Sequence, residues 1–145
     1  IGLPLAYNTS GLSVDQVEAR CQAVLEDLDI AYLAQPGLRP IALNLEEHVY
    51  VELARTRAAK VDILLADDPT MGLGVGVSQR FVDHLCEDTA QTRLIATTLL
   101  RPYIKHADVF YLLEDGRIRF SGNADELAAC DHPWVRAELS GDRLI

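Results

Sequence analysis

The chain is short of basic residues. Its 13 Lys and Arg stand against 22 Asp and Glu, a net charge of −9. Such a surface repels polyanions, which argues against a nucleic-acid or anionic-membrane binder held by charge. Long apolar runs are missing too: no stretch approaches the ~20 residues that a membrane-spanning helix needs. The first residues show no basic segment followed by an apolar one, so no secretory leader is expected. Cysteine is sparse. Cys21, Cys86 and Cys130 lie far apart, are odd in number and include no C-x-x-C pair. A disulfide framework or a zinc site is therefore not expected, and free cytosolic thiols are, with Cys21 and Cys86 at helix core positions. There are no internal repeats and no low-complexity segments.

The remainder is ordinary globular material: 145 residues, 49% hydrophobic and 24% charged, one domain's length and enough to bury a core. The chain opens on Ile1-Gly2-Leu3-Pro4-Leu5 without a methionine, which reads as the continuation of a longer protein.

Ser13 with Gln16 forms a capping box ahead of Val17, Cys21, Val24, Leu25 and Leu28, predicting an amphipathic helix over 14–28. Pro36-Gly37 and Pro40 punctuate the next loop. Asn44 and Glu47 cap a second helix running to Lys60, with Leu45, Val49, Leu53 and Ala54 as its stripe. The pattern then alternates: a strand at 63–66, a glycine-rich turn at 72–76, a helix at 77–88, a strand at 93–97 and a short helix after Pro102. Val109–Glu114 and Arg117–Ser121 flank Asp115-Gly116, a hairpin signal. Helices at 124–129 and 133–139 finish the chain. Alternation of this kind means a parallel sheet with crossover helices. The expected organisation is a helical subdomain over 1–60 and an α/β half over 61–145.

The most informative stretch is Val61 to Thr70. Ile63–Ala66 suits a strand buried on both faces of a sheet. It ends in Asp67-Asp68-Pro69, at the carboxyl end of a strand, where ligands bind in open α/β sheets. Adjacent carboxylates call for solvent or for a hard cation such as Mg²⁺. The residues alone leave both a metal site and a solvated turn open.

The order of segments resembles the second half of an ABC-transporter nucleotide-binding domain. Leu43–Arg55 sits where that family has its Leu-Ser-Gly-Gly helix. Asp62–Thr70 is similar to the Walker B strand with its Pro-Thr, Met71–Gly74 stands at the D-loop, and Leu94–Thr98 leads to the switch position. Ala107–Ile118 and Ser121-Gly122 match the family's closing hairpin, and Asp125-Glu126-Leu127 continues the match. Gly2–Leu5 and the 14–28 helix resemble the start of the family's helical subdomain. The resemblance implies a partial α/β fold of the P-loop NTPase type: helical subdomain, parallel-sheet half and terminal hairpin.

The departures are as specific as the match. No G-x-x-x-x-G-K-[S/T] loop occurs, and the family carries that phosphate cradle upstream. The family's Ser-Gly-Gly, whose glycines let backbone N–H groups approach the γ-phosphate of ATP on a partner subunit, is Asn44-Leu45-Glu46 here. Leu45 adds bulk and Glu46 adds negative charge near a polyanion. The D-loop aspartate is Gly74. The catalytic Glu is Asp68, a methylene shorter at the general-base position. The switch histidine is Thr98. Asp67 retains the family residue, and the resemblance gives it the Mg²⁺ contact.

The resemblance thus implies an ATP-binding subunit of an ABC transporter with weak or absent hydrolysis, present as a C-terminal part. ATP and Mg²⁺ would bind only together with the N-terminal half. The implied partners are membrane-embedded transporter subunits and a second nucleotide-binding subunit, in a homodimer or heterodimer, with no nucleic acid. The implied place is the cytoplasmic face of the cell membrane. The alternative is a non-catalytic pseudo-ATPase acting in regulation or assembly. The ending His132-Pro133-Trp134-Val135-Arg136 with Leu139 is similar to those of ABC ATPases that traffic outer-membrane lipids; its plain reading is a final helix docked through Trp134.

His48, His84, His106 and His132 show no metal-ligand spacing, and His84 and His106 are expected on helix surfaces. Tyr50 and Tyr103 read as packing residues, while Tyr7 is open to either exposure or packing. Glu46, Glu47 and Glu52 read as a solvated face, and Arg55 and Arg57 as surface charges, with Arg55 in a position to brace its helix. Gly72, Gly74 and Gly76 make no dinucleotide-binding fingerprint.

Overall fold

A computed structural model describes residues 1–2, 11–87 and 91–141. Leu3–Leu5, where the family resemblance begins, and Tyr7 lie outside the described residues. The chain divides into two compact units, Ile1–Ala96 and Thr97–Ile145.

In the first unit, α1 (Val14–Asp27) begins at Ser13, whose hydroxyl accepts from the Gln16 N–H while the Gln16 side chain accepts from the Ser13 N–H. The helix α2 (Leu45–Ala59) starts with the same device from Asn44 and Glu47. It ends at Lys60 in the left-handed region, φ 51°. The two helices pack together, and α2 also meets α3 (Val75–Leu85). The buried residues explain these contacts. Leu25, Leu28 and Ile30 come from the first helix and its exit, Tyr50, Leu53, Ala54 and Ala58 from the second, and Phe81, Val82 and Leu85 from the third. Each buried leucine contributes about 1.5–3 kcal/mol. Tyr50 stands edge-on to Phe81, ring centroids 5.5 Å apart, as its packing role requires.

The strands β1 (Ile63–Asp67) and β2 (Thr92–Ala96) pair in parallel, Ile63 opposite Thr92 and Asp67 opposite Ala96, with α3 lying between them in the chain. The expectation of a strand buried on both faces is corrected here: Ile63 is 65% and Leu65 71% exposed. Along both strands exposed residues alternate with half-buried ones. A continuous apolar run is what two covered faces would select, but among the described residues only one face of this sheet is partly covered. The glycine turn is also shorter than expected, since α3 begins at Val75 and takes in Gly76.

In the second unit, β3 (Phe110–Glu114) and β4 (Arg117–Gly122) form an antiparallel hairpin. Asp115 and Gly116 both have positive φ, 50° and 71°, the two-residue geometry that matches strand twist. A bulge at Leu112/Leu113 leaves Arg119 without a Cα partner in the ladder. Beyond the hairpin come α4 (Ala124–Ala128), capped by Asn123 with Glu126, and α5 (Pro133–Ser140). Leu100, Leu127 and Val135 form this unit's buried cluster, with Phe110, Leu112, Phe120 and Trp134 packed against it. Tyr103 is buried in a short 3-10 turn, Arg101–Tyr103, which replaces the expected short helix. Arg101 ties that turn to the end of α5 by donating from Nε to the Glu138 carbonyl at 2.6 Å.

The three cysteines are half-buried and free; Cys86 is the residue that ends α3 rather than part of it. His84 is on α3 as expected but is tucked edge-on against Tyr50, and His106 lies in a turn rather than on a helix.

Candidate functional site: the carboxylate strand end and the α2 turn

The end of β1 is made by hydrogen bonding to β2 and then a sharp backbone reversal. Asp67 completes the ladder opposite Ala96, and the Asp68 N–H donates to the Ala96 carbonyl at 2.7 Å. Asp68 then takes φ 41°, a left-handed conformation that aspartate tolerates better than most residues. The chain turns through Pro69, with the Met71 N–H donating to the Asp68 carbonyl at 3.0 Å and the Leu73 N–H to the Thr70 carbonyl at 3.1 Å. Thr70 is fully buried beneath this turn. The result is an exposed Asp67 and a half-buried Asp68 beside it, at the carboxyl end of a parallel pair. Exposed oxygen donors of this kind suit Mg²⁺, which takes one or two protein carboxylates and completes its shell with water and phosphate. Among the described residues no group of three or more His, Cys, Asp or Glu is placed to hold a metal by itself. Asp67 fits as one ligand of a shared site.

The turn that opens α2 lies in the same unit. Leu45 is half exposed and leans over the loop after β1: a Cβ on Gly72 would stand 2.9 Å from Leu45 Cδ2. Gly72 has φ 80°, so this loop needs glycine there on backbone grounds as well. Gly74 is the residue preceding α3, and a Cβ on it would meet nothing within 4 Å. The structure therefore brings Leu45 and Gly72 together, while Gly74 itself is not demanded by crowding. Thr98 is exposed and belongs to the second unit, two residues past the end of β2.

Of the residues read as a solvated face, Glu46 and Glu47 are more than that, and Glu47 works with the Asn44 cap. Asn44 Oδ1 accepts from the Glu47 N–H at 2.9 Å, and Glu47 Oε2 accepts from the Asn44 N–H at 2.8 Å. The Tyr32 hydroxyl donates to Glu47 Oε1 at 3.3 Å, and burial together with the Glu47 charge pushes that hydroxyl above its ordinary pKa. Glu46 pairs with Arg80 at 3.5 Å. The capping box thus occupies the N–H groups at the two ends of this turn, those of Asn44 and Glu47.

Arg57 reads as a surface charge, yet its side chain is only 19% exposed and donates to Asp27, to Glu87 and to the His84 carbonyl. One guanidinium thus joins the ends of α1 and α3 to α2. Burial would raise the Glu87 carboxyl, but the hydrogen bond and charge of Arg57, with His84 adding to them, outweigh burial and hold it below the usual value. Arg55, by contrast, braces its own helix through Glu52 at 2.7 Å.

Known proteins supply the class. The chain is 32% identical over 111 residues to the phosphonates import ATP-binding protein PhnC 2 of Nostoc sp., a match over 70% of this chain and 46% of that protein. It is 30% identical over 128 residues to the energy-coupling factor transporter ATP-binding protein EcfA of Methanoculleus marisnigri, over 85% of this chain and 46% of that protein. Among solved structures, the ADP conformation of MJ1267, an ATP-binding cassette of an ABC transporter, superposes with a TM-score of 0.70 at 19% identity, covering 95% of this chain and 55% of that one. No protein-family model matches the chain. The strand ending in paired carboxylates, the crossover helix and the closing hairpin are together part of an ATP-binding cassette of P-loop NTPase fold. The chain belongs to the nucleotide-binding domains of ABC transporters. It spans about half the length of the curated relatives it matches. Among the described residues no helix is long and apolar enough to cross a membrane.

Proposed function

We propose that the complete polypeptide is the ATP-binding subunit of an ABC transporter and that it hydrolyses ATP weakly or not at all. The observation that carries the reading is the end of β1, where Asp67 is exposed at the carboxyl end of a parallel pair and Asp68 is folded back beside it. In this reading Asp67 holds Mg²⁺, which supplies charge neutralisation to the phosphates when bound. Asp68 stands at the general-base position with a shorter reach than glutamate, and Thr98 stands at the switch position with a hydroxyl and no titratable ring. Gly74 places no carboxylate at the D-loop position. Reduced positioning at several points lowers the rate while leaving binding possible. The helical part, residues 1–60, is the segment that communicates with membrane-embedded subunits, and 61–145 carries the Walker B side of the site. A second nucleotide-binding subunit completes the pair at the cytoplasmic face of the membrane.

Mg²⁺-dependent ATP binding by the complete polypeptide tests this. Calorimetry should show an affinity that depends on Mg²⁺, with the dependence lost in Asp67→Asn. Equal Mg²⁺ dependence in wild type and Asp67→Asn would remove Asp67 from the metal site.

A further inference from the structure

We infer that the helices before residue 60 do not hinge against α3: α1, α2 and α3 move as one body, and Arg57 is the residue that joins them. The sequence suggests a division at 60/61, yet Ile1–Ala96 is one compact unit. Contacts cross that division along the length of α2. At its start Leu45 lies across Gly72, and Glu46 pairs with Arg80 at 3.5 Å. In its middle Tyr50 meets Phe81 and His84 edge-on, with centroids 5.5 and 5.9 Å away. Near its end Arg57 donates to the His84 carbonyl and to Glu87. Anchored at three levels, α2 cannot turn against α3 without breaking one of these contacts.

The same guanidinium carries α1. Asp27, the last residue of α1, accepts from Arg57 Nη1, while Nη2 serves the His84 carbonyl and Glu87. Only a planar fork of donors reaches three partners in this way. Packed elements shift between discrete arrangements and do not bend continuously, so helices joined like this travel together. In the chain, α3 begins just after the loop that follows Asp67 and Asp68. A displacement of that loop therefore moves α3, and with it α2 and α1. Arg57 is a positioning residue: it passes motion from the carboxylate end to the helical part without touching a ligand. Coupling to a nucleotide rests on the proposed function; the joining of the three helices does not.

Double electron–electron resonance on the complete polypeptide tests this. Spin labels go at Glu18→Cys on α1 and Val75→Cys at the start of α3, both exposed, with Cys21, Cys86 and Cys130 replaced by alanine. With Arg57 in place the labels should give one narrow distance. Saturating Mg-ATP should move it by less than about 3 Å, a limit set between a packed-helix shift and a full-turn slip. Arg57→Leu should widen the distribution with or without nucleotide. Asp27→Ala, which leaves Arg57 its other two partners, should widen it less, and it keeps the test decisive where Arg57→Leu does not fold. A larger Mg-ATP shift with Arg57 in place, or variant distributions as narrow as that of the parent, would overturn the inference. Absence of Mg-ATP binding in calorimetry would sink the proposed function instead, and the nucleotide-free comparison would still decide the role of Arg57.

Discussion

Removing the Arg57 guanidinium should loosen the whole helical part of the first unit. The side chain reaches Asp27 at the end of α1, Glu87 just past α3 and the carbonyl of His84. The two carboxylates are 61% and 58% exposed, so each pair is solvated and worth about 0.2–1 kcal/mol. The bond from a cation to a backbone carbonyl is the stronger element, about 1.5–3 kcal/mol. Arg57→Ala should therefore cost about 2–5 kcal/mol, with any lost packing of the stem adding to it. Asp27→Ala and Glu87→Ala should each cost less than about 1 kcal/mol. Arg57→Lys keeps the charge but has no fork, and should fall between. Urea unfolding at an unchanged m-value reads these differences from the midpoint. In about 1 M salt the carboxylate variants should converge on wild type while Arg57→Ala stays destabilised. An Arg57→Ala cost within about 0.5 kcal/mol of zero, or an Asp27→Ala cost equal to it, would refute the reasoning.

The same geometry sets other outcomes. Glu87 titrates lower in the folded state than unfolded, so its contribution is complete above the ordinary carboxylate value of about 4.3 and fades as pH falls through the folded value. Glu87→Gln should flatten the acid limb of the stability curve, and an unchanged limb would count against the Arg57–Glu87 contact. Gly72→Ala should cost about 1–2 kcal/mol from its φ of 80°, with a further part from Leu45 Cδ2 at 2.9 Å. Thermal melts should show Leu45→Ala recovering only that further part; full recovery would mean the backbone conformation is not strained.

Local chemistry was legible because it acts over a few residues. The caps at Ser13 and Asn44 arise from side chains reaching the third residue of the helix, and the Asp115-Gly116 hairpin from two positive φ values. The family resemblance was equally readable, since the order of segments survives at about one-third identity. Burial was not. The run Ile63–Ala66 looks the same whether one face or two are covered, and the sequence carries no sign of how many layers flank it. Arg57 escaped for a related reason: its partners Asp27 and Glu87 lie 30 residues away on either side. The roles of Glu46 and Glu47 needed geometry as well, because a capping carboxylate and a solvated one are the same residue in sequence. The ending His132–Leu139 contributes Trp134, Val135 and Leu139 to the packing of the second unit.

The most direct test of the central claim is ATP turnover by the complete polypeptide assembled with its partner subunits, comparing wild type, Asp68→Glu and Asp68→Asn. Turnover should be slow or undetectable in wild type, rise in Asp68→Glu as the carboxylate regains a methylene of reach, and show no further change of consequence in Asp68→Asn. Robust wild-type hydrolysis abolished by Asp68→Asn would contradict it.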